Sequence, residues 1–461
     1  MSLTLPDDVT AWVGSVTGRA VTRAERIPGG ATREGWFVDV EPAEGATGEL
    51  FVRYSPAALP ERSAFHRLRT EAAVMTALGR HGLAVPRILG VHPTREAVLS
   101  ERVRGATWFY RITDPDEQLR VARDFIANLA TWHRLDPRAL GIDDLGPVRP
   151  ARQHALERIQ GIRQRGTAPD GSMDPLLRLS TDWLERNVPD YDGPVVLVQG
   201  DTGPGNFLYA DGRVTAVVDW ELCHWGDPMD DIAWLSLRTV QDTFTDLPAR
   251  LAEYSEQSGF VIDEARVWYY RLFAESTMAT LYPNEGRGAP GPPDGDGPVA
   301  RDIGNGIIYR QLHRRLWLEA LGKVIGLELD QPTLPEPGEL ADWHDLYALV
   351  LGSLQTIVPR IGDPLAGQWT KGVARVVKYL QELDASGRHY ADLEREEIAE
   401  LLGRRPASVG EGRAELAAAA RDGRVGDEDY VRYLWHKVQR DDHLMRGASG
   451  ALHDRTWPPL R

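Results

Sequence analysis

An α+β fold is predicted, with a small β-rich N-terminal lobe, a mainly helical lobe after it and an all-α C-terminal domain. Three observations predict it. Short strand patterns crowd the first hundred residues; from about residue 106 apolar residues recur at intervals of three and four; and past a proline-rich break at 331–338 the chain reads as helices alone. The divisions this sets are 1–105, 106–330 and 339–461.

In the first segment, 35–40 and 49–54 are short strands, each followed by Pro or Gly. A helix over 60–78 places Phe65, Leu68, Ala72 and Met75 on one face, and Gly79 and Gly82 stop it. Strands over 85–91 and 97–103 follow, punctuated by Gly105. The second segment opens with Asp114-Pro115, a helix start, and Leu119, Ala122, Phe125, Leu129 and Trp132 keep helical spacing up to Asp136-Pro137. A buried strand at 194–198 precedes a hairpin in which 206–209 and 214–218 flank Asp211-Gly212, a dipeptide that favours a two-residue turn. Helices follow over 230–240 and 265–281, and the Gly-, Pro- and acid-rich stretch 284–298 reads as a mobile insertion. Beyond the break, 347–360, 368–383, 392–402, 411–421 and 427–440 look helical and carry no chemistry-bearing motif.

Composition narrows the function. The 461 residues are 42% hydrophobic and 26% charged, an ordinary globular balance. No run approaches the roughly 20 apolar residues of a membrane span, and the N-terminus lacks the basic-then-apolar order of a secretory signal, so a soluble cytoplasmic protein is expected. Cys223 is the one cysteine, which excludes an intrachain disulfide or a cysteine-based zinc cluster and reads as a small buried filler. A net charge of -15 argues against nucleic acid or an anionic membrane as partner; a cationic or neutral small molecule fits better.

The chemistry concentrates in Val198-Gln199-Gly200-Asp201-Thr202-Gly203-Pro204-Gly205-Asn206 and Val217-Val218-Asp219-Trp220-Glu221. Phosphoryl transfer to a hydroxyl needs a carboxylate for the hydroxyl proton and two oxygen ligands for a magnesium ion on the phosphates. Asp201, Asn206 five positions later and Asp219 at a strand end have that spacing. If Asp211-Gly212 is a two-residue turn, Tyr209 back to Asn206 pairs with Val214 on to Val217, and Pro204 falls opposite Asp219. Asn206 and Asp219 then share a face, about 7 to 8 Å apart on the diagonal.

These residues resemble the aminoglycoside-phosphotransferase family, a branch of the protein-kinase-like fold that includes antibiotic, choline and hydroxyacyl-CoA kinases. The family pattern is a His-Gly-Asp loop, an Asn five residues on, an Ile-Asp-Trp-Glu strand end, then Gly-Asp-Pro and Asp-Ile/Leu-Ala. Here it stands as Gln199-Gly200-Asp201, Asn206, Val218-Asp219-Trp220-Glu221, Gly226-Asp227-Pro228 and Asp231-Ile232-Ala233. The resemblance runs from about residue 21 to 325 and implies a two-lobed kinase-like fold, ATP and Mg2+ as cofactors, and a small-molecule hydroxyl as acceptor. It implies that Asp201 is the catalytic base, that Asn206 and Asp219 hold the metal, and that Asp227 and Asp231 brace the loop. Gln199 stands where the family usually has His, and Arg53 where the antibiotic kinases have a phosphate-binding Lys; arginine keeps the charge and forks onto phosphate oxygens.

On the nucleotide side, Glu71 follows Arg53 in the order a kinase ion pair requires. Gly29 and Gly30 permit a turn whose amides approach phosphate, and Thr32 adds a hydroxyl. The strand over 97–103 is the expected hinge, with the backbone of Glu101 and Val103 toward adenine, and His133 reads as structural. A catalytically weak regulatory or scaffold protein, a pseudokinase that binds nucleotide, is the rival reading. The C-terminal helices are expected either to cap the acceptor pocket or to join copies of the chain in a homo-oligomer.

Overall fold

The computed structural model describes residues 4–27, 33–42, 48–56, 63–281, 303–334, 340 and 342–461. Gly29, Gly30, Thr32, the stretch 284–298 and part of the proline-rich break lie outside the described residues. The chain forms two compact units: Met1–Gly161 with Val188–Ala274 and Trp457–Arg461, and Ile162–Asn187 with Glu275–Thr456.

The first unit begins with helix α1 (Asp7–Thr17), strands β1 (Val21–Ile27), β2 (Glu34–Val40) and β3 (Glu49–Tyr54), helix α2 (Leu68–Arg80), and strands β4 (Ile88–Val91) and β5 (Ala97–Glu101). The strands make one antiparallel sheet in the order β1-β2-β3-β5-β4. Alternation decides its two faces. Trp36, Val38 and Val40 of β2 and Leu50, Val52 and Tyr54 of β3 pack with Leu5, Val9 and Val13 at and before α1. Arg53 falls between those positions and so points the other way, opposite Gly35 on one side and Val98 on the other. Val98 packs against Leu68 and Ala72 of α2, which sets Arg53 on the α2 face of the sheet.

Helix α3 (Pro115–His133) starts where the sequence places it, with the Asp114 carboxylate accepting from Asp116 N at 3.1 Å. The one-turn α4 (Pro137–Leu140) is capped by Asp136. Helix α5 (Ala151–Gly166) runs from the first unit into the second, where α6 (Pro175–Arg186) lies. Back in the first unit come β6 (Val196–Val198), the hairpin β7 (Phe207–Ala210) and β8 (Arg213–Val217), β9 (His224–Gly226), α7 (Pro228–Gln241) and α8 (Leu247–Ser258), and α9 (Glu264–Leu281) leads out of it. The chain's last residues return: Arg271 Nη2 donates to Pro458 O at 2.8 Å, and its guanidinium lies over the rings of Trp268 and Trp457.

The second unit adds α10 (Ile303–Ile325), α11 (Asp345–Ile357), α12 (Pro364–Leu402), α13 (Val409–Arg421) and α14 (Asp427–Ser449). Helix α10 packs on α12 and α14, with Ile308 buried against Met445 and Ala448. The compact unit therefore takes in α10, which the division at 330 and 339 leaves with the preceding lobe. Among the described residues no helix is long and apolar enough to cross a membrane.

Two elements differ from the sequence reading. Of the helix expected over 60–78, residues 60–62 lie outside the described residues; among the described ones it starts at Leu68, leaving Phe65 outside it. The backbone before it is engaged elsewhere: His66 N donates to Glu221 O at 2.8 Å and the His66 ring bonds Cys223 O at 2.7 Å. The helices expected over 368–383 and 392–402 are one 39-residue helix, α12, because Gly387 between them costs only about 1 kcal/mol in a helix interior.

Candidate active site

The loop between β6 and β7 holds Asp201, and its shape is set from below by Asp231, a fully buried carboxylate on α7. Asp231 accepts from Gln199 N at 2.9 Å, from Gly200 N at 3.0 Å and from the Thr202 hydroxyl. The His133 ring meets it at 3.0 Å through Nε2, and His133 Nδ1 meets Tyr254 OH at 2.7 Å. One neutral tautomer, Nε2–H toward Asp231 and Nδ1 accepting from Tyr254, satisfies both contacts. A buried charge ringed by donors in this way fixes the loop backbone. Gly200 turns there with φ 82°, and a Cβ on it would sit 2.5 Å from Leu222 O. The Gln199 side chain spans to the next element, its Nε2 donating to Val218 O at 2.7 Å. Gln199 thus ties the loop that carries Asp201 to the strand end that carries Asp219.

Asn206 lies at the other end of the loop, and its Nδ2 donates to Asp201 O at 2.7 Å and to Asp201 Oδ2 at 2.6 Å. The hairpin register is as the sequence predicts next to the turn, with Tyr209 opposite Val214 and Ala210 opposite Arg213. It then slips by one at a bulge, so Leu208 faces Ala216 and Phe207 faces Val217. Val218 N bonds Asn206 O at 2.9 Å, which puts Asp219 one step beyond Asn206 rather than opposite Pro204. Strand alternation does not aim Asp219. Its backbone turns with φ 64°, a conformation uncommon for a non-glycine residue, and Trp220 beside it is fully buried, edge-on to Trp132 at 5.5 Å.

Asp219 meets the sheet through Arg53. Arg53 Nη2 is 2.7 Å from Asp219 Oδ1 and 3.1 Å from Glu221 Oε2, and its Nη1 is 3.1 Å from Glu71 Oε2. Burial works to raise the Asp219 carboxyl, but the Arg53 charge and hydrogen bond outweigh it and hold the group below the usual carboxylate range. Glu221 goes the other way: burial, and then the Asp219 charge, push it up to about 7. Arg33 joins the cluster, paired with Glu71 and 3.2 Å from Glu221 Oε2. Helix α7 begins at Asp227, whose carboxylate accepts from Met229 N at 2.9 Å and from Arg266 at 3.0 and 2.9 Å.

The structure thus brings Arg53, Glu71 and Asp219 together, and Asp201 with Asn206. Glu101 ends β5 in a surface ion pair with Arg87, and its N–H donates to Arg87 O at 3.0 Å. Val103 follows β5, half-buried. Three functional candidates carry no assigned role in the sequence reading: Arg33, Glu221 and Arg238. Arg238 lies two helical turns beyond Asp231 on α7, on the same face. Its Nε donates to Pro204 O at 2.9 Å, its Nη2 reaches Asn206 Oδ1 at 3.4 Å, and its Nε is 3.8 Å from Asp201 Oδ1. The seven-residue spacing from Asp231 is the signal that points to it.

The loop of Asp201 is braced by a buried aspartate on the following helix, and an arginine on β3 pairs with a glutamate on α2. The model of the phosphotransferase enzyme family matches residues 23–268, more than half of the chain, and the protein belongs to that family. Its fold is two-lobed and protein-kinase-like, with an all-helical C-terminal region. Among curated proteins, acyl-CoA dehydrogenase family member 11 of Rattus norvegicus is 27% identical over 266 residues, 55% of this chain and 32% of that protein. The Mus musculus protein of the same name is 35% identical over 115 residues, 24% of this chain and 14% of that protein. The match covers a third or less of these relatives' own length. Among solved structures, macrolide 2'-phosphotransferase type I matches at 19% identity and a TM-score of 0.45, over 62% of this chain and 95% of that one. The APH(2'')-IIa of a streptomycin–ATP ternary complex matches at 13% identity and a TM-score of 0.47, over 62% and 93%.

Proposed function

We propose that the protein transfers the γ-phosphoryl group of ATP to a hydroxyl of a small molecule, with Mg2+ as the accompanying cation. The observation that carries this reading is the Arg53 bridge from Glu71 on α2 to Asp219, beside a loop in which Asn206 holds Asp201. The residues suit a magnesium ion: Asn206 and Asp219 offer an amide and a carboxylate oxygen, hard ligands of the kind it takes, and a cationic nitrogen already stands 2.7 Å from Asp219 Oδ1. Such an ion, when bound, neutralises charge on the phosphates.

The chain's own residues do the rest. Asp201 accepts the proton of the acceptor hydroxyl as its oxygen bonds to the γ-phosphorus and the bond to the β-phosphate oxygen breaks. Asn206 Nδ2 keeps the Asp201 carboxylate turned toward that hydroxyl. Arg53 supplies charge to the phosphates, and Glu71 aims it. The amides at Gly29 and Gly30, the Thr32 hydroxyl, and the Glu101 and Val103 backbone complete the nucleotide side of the proposal, and ATP as donor goes with a cytoplasmic location. Among acceptors we try hydroxyacyl-CoA thioesters first, a choice prompted by the words acyl-CoA in the names of the curated relatives.

The test is a transfer screen with labelled ATP over hydroxyacyl-CoA thioesters, amino alcohols, aminoglycosides and macrolides. Label on any acceptor supports the reading. Magnesium-ATP binding with no transfer to any class favours the regulatory or scaffold alternative, and no nucleotide binding overturns both.

A second copy of the chain is the partner we assign to the C-terminal helices. Helix α11 buries none of its residues, although Leu346, Leu349, Val350 and Ile357 are all exposed. Val373, Leu380 and Leu383 of α12, on which α11 packs, are exposed too, and apolar surface on a helix pair is what a copy related by a two-fold axis can cover. Sedimentation of wild type against Leu349→Glu decides it: a dimer that the substitution dissociates supports the contact, and a monomeric wild type removes it.

A further inference from the structure

The Arg315 side chain on α10 is only 7% exposed, and its guanidinium is satisfied at one end alone. Nη1 donates to Asp442 Oδ2 at 2.8 Å and to the His453 carbonyl, and Nη2 donates to the carbonyls of Leu452 and Arg455. Nε has no hydrogen-bond partner among the described residues; Glu319 Oε1 stands 3.8 Å away, outside hydrogen-bond reach. A second buried donor, Gln439 Nε2 on α14, is unpaired as well. Buried polar groups are as a rule hydrogen-bonded, so each exception calls for a cause. Here the two residues line one cavity of about 230 Å3.

The faces of two packed helices build that cavity. Arg315 and Glu319, one turn apart, form the α10 wall, and Trp435, Gln439 and Asp442, spaced by four and three, form the α14 wall. The Trp435 ring is fixed by its Nε1, which donates to Asp330 O at 2.7 Å, and with Leu334 it gives the lining an apolar patch. All of these residues belong to the second compact unit. None of them is among the residues assigned to phosphoryl transfer.

We propose that this cavity is a binding site for a free amino acid, with its carboxylate accepting from Arg315 Nε and Gln439 Nε2 and its ammonium answering the acidic side of the lining. The two unpaired groups are donors only, so they call for an acceptor oxygen, and a carboxylate offers two. With the histidines neutral, the lining carboxylates of Glu319, Asp442 and Asp454 outnumber the one guanidinium. A plain anion is therefore repelled, and a positive group has to arrive with the carboxylate. Size agrees: the volume exceeds the roughly 30 Å3 of one water and falls short of the roughly 300 to 1,000 Å3 of pockets for larger ligands. Trp435 and Leu334 suit a side chain of modest size and apolar character.

Thermal melts of the full chain with each standard L-amino acid in turn, at about 10 mM, test this, since a ligand that binds only the folded state raises the melting temperature. At least one is expected to raise it, those with medium apolar side chains foremost, and calorimetry then gives its affinity. Gln439→Leu removes a donor from a half-buried position and Glu319→Gln removes a negative charge, and each should weaken binding about tenfold while the ligand-free variant still melts cooperatively. The matching amine, which lacks the carboxylate, and the matching acid, which lacks the ammonium, should each bind at least about tenfold more weakly than the amino acid. No rise with any amino acid means that the cavity holds water only, and overturns the proposal. A binder that keeps its full affinity in either variant overturns it too, as does an amine or an acid that binds as well as the amino acid. Should Gln439→Leu fail to fold, Glu319→Gln and the two analogues decide alone.

Discussion

Arg53 Nη2 lies 2.7 Å from Asp219 Oδ1 while Nη1 of the same guanidinium lies 3.1 Å from Glu71 Oε2, so one side chain occupies the carboxylate assigned to the metal and the one assigned to the ion pair. On the proposed reading, a cation held by Asp219 would compete with Arg53 for that carboxylate, and Arg53 would turn toward the phosphates. Asp219→Ala removes that competition along with the ligand. The variant is expected to lose the extra thermal stabilisation that Mg2+ adds to the ATP complex, and to bind metal-free ATP at least as well as wild type. Melting curves with ATP, with and without Mg2+, check it; an undiminished magnesium shift removes Asp219 from the ligand set.

Asp201 has its carboxylate held by Asn206 Nδ2 at 2.6 Å. Asp201→Asn keeps the shape and loses the proton acceptor. Turnover is expected to fall by at least the roughly hundredfold typical of a lost general base, with ATP affinity nearly unchanged. Steady-state kinetics beside a binding titration measure both, and turnover within a few fold of wild type withdraws the assignment.

Arg238 touches the loop at Pro204 O and at Asn206 Oδ1, so its loss should loosen the end that carries Asn206 without reaching Asp231. Gly205, with φ 93°, passes so close to Arg238 Nη2 that any Cβ there would collide with it. Arg238→Ala is expected to lower kcat about tenfold or more while KM for ATP changes little, a split that marks loss of positioning. Equal falls in ATP binding and turnover point instead to a general unfolding of the loop.

Much of this site was legible because its signals are local. Asp201, Asn206 and Asp219 stand at fixed spacings about a hairpin whose Asp211-Gly212 turn the sequence announces, and Arg53 and Glu71 follow in chain order. The missing parts are tertiary. The bulge in β8 that shifts Asn206 and Asp219 out of the expected register depends on packing, and the positive φ of Asp219 is imposed by its surroundings. Arg33 gains its contacts only because α2 and the β8–β9 turn converge on it, and the late start of α2 comes from His66 bonding to Glu221 and Cys223. The amphipathic stretch of α3 was readable from its period, whereas the joining of two predicted helices into α12 turned on a single tolerated glycine.

Asp227 gives a pH dependence. Burial, against the pull of Arg266, pushes its carboxyl from 3.8 up to about 6 in the folded chain. Between those values the folded state holds a proton that the unfolded state has released, so this contribution to stability is lost as pH rises through the window. Asparagine there stays neutral and still offers a capping oxygen to Met229 N. Near pH 4 it should match the protonated aspartate, and toward pH 7 the variant should gain on wild type by on the order of 2 to 3 kcal/mol. Urea melts at several pH values check it, and a difference that does not grow with pH refutes the shift.

The last prediction concerns where the C-terminal unit begins. The break at 331–338 suggests that a chain ending after residue 337 keeps its ATP-binding lobes folded. The packing of α10 predicts otherwise. Ile308 is buried against Met445 and Ala448, and the buried Arg315 is 2.8 Å from Asp442 Oδ2, with the carbonyls of Leu452, His453 and Arg455 also accepting from it. Cutting at 337 leaves that guanidinium without the Asp442 carboxylate, with only Glu319 at 3.8 Å, and exposes the apolar side of a 23-residue helix. Breaking a buried pair from one side costs about 3 to 5 kcal/mol, a large part of the roughly 5 to 15 kcal/mol that holds a typical domain together. The truncated chain is therefore expected to aggregate or to melt without cooperativity, and Asp442→Ala in the full chain should reproduce a good part of the loss. A cooperative melt and retained magnesium-ATP binding by residues 1–337 would show that α10 stands without α14, and would return the boundary to 339.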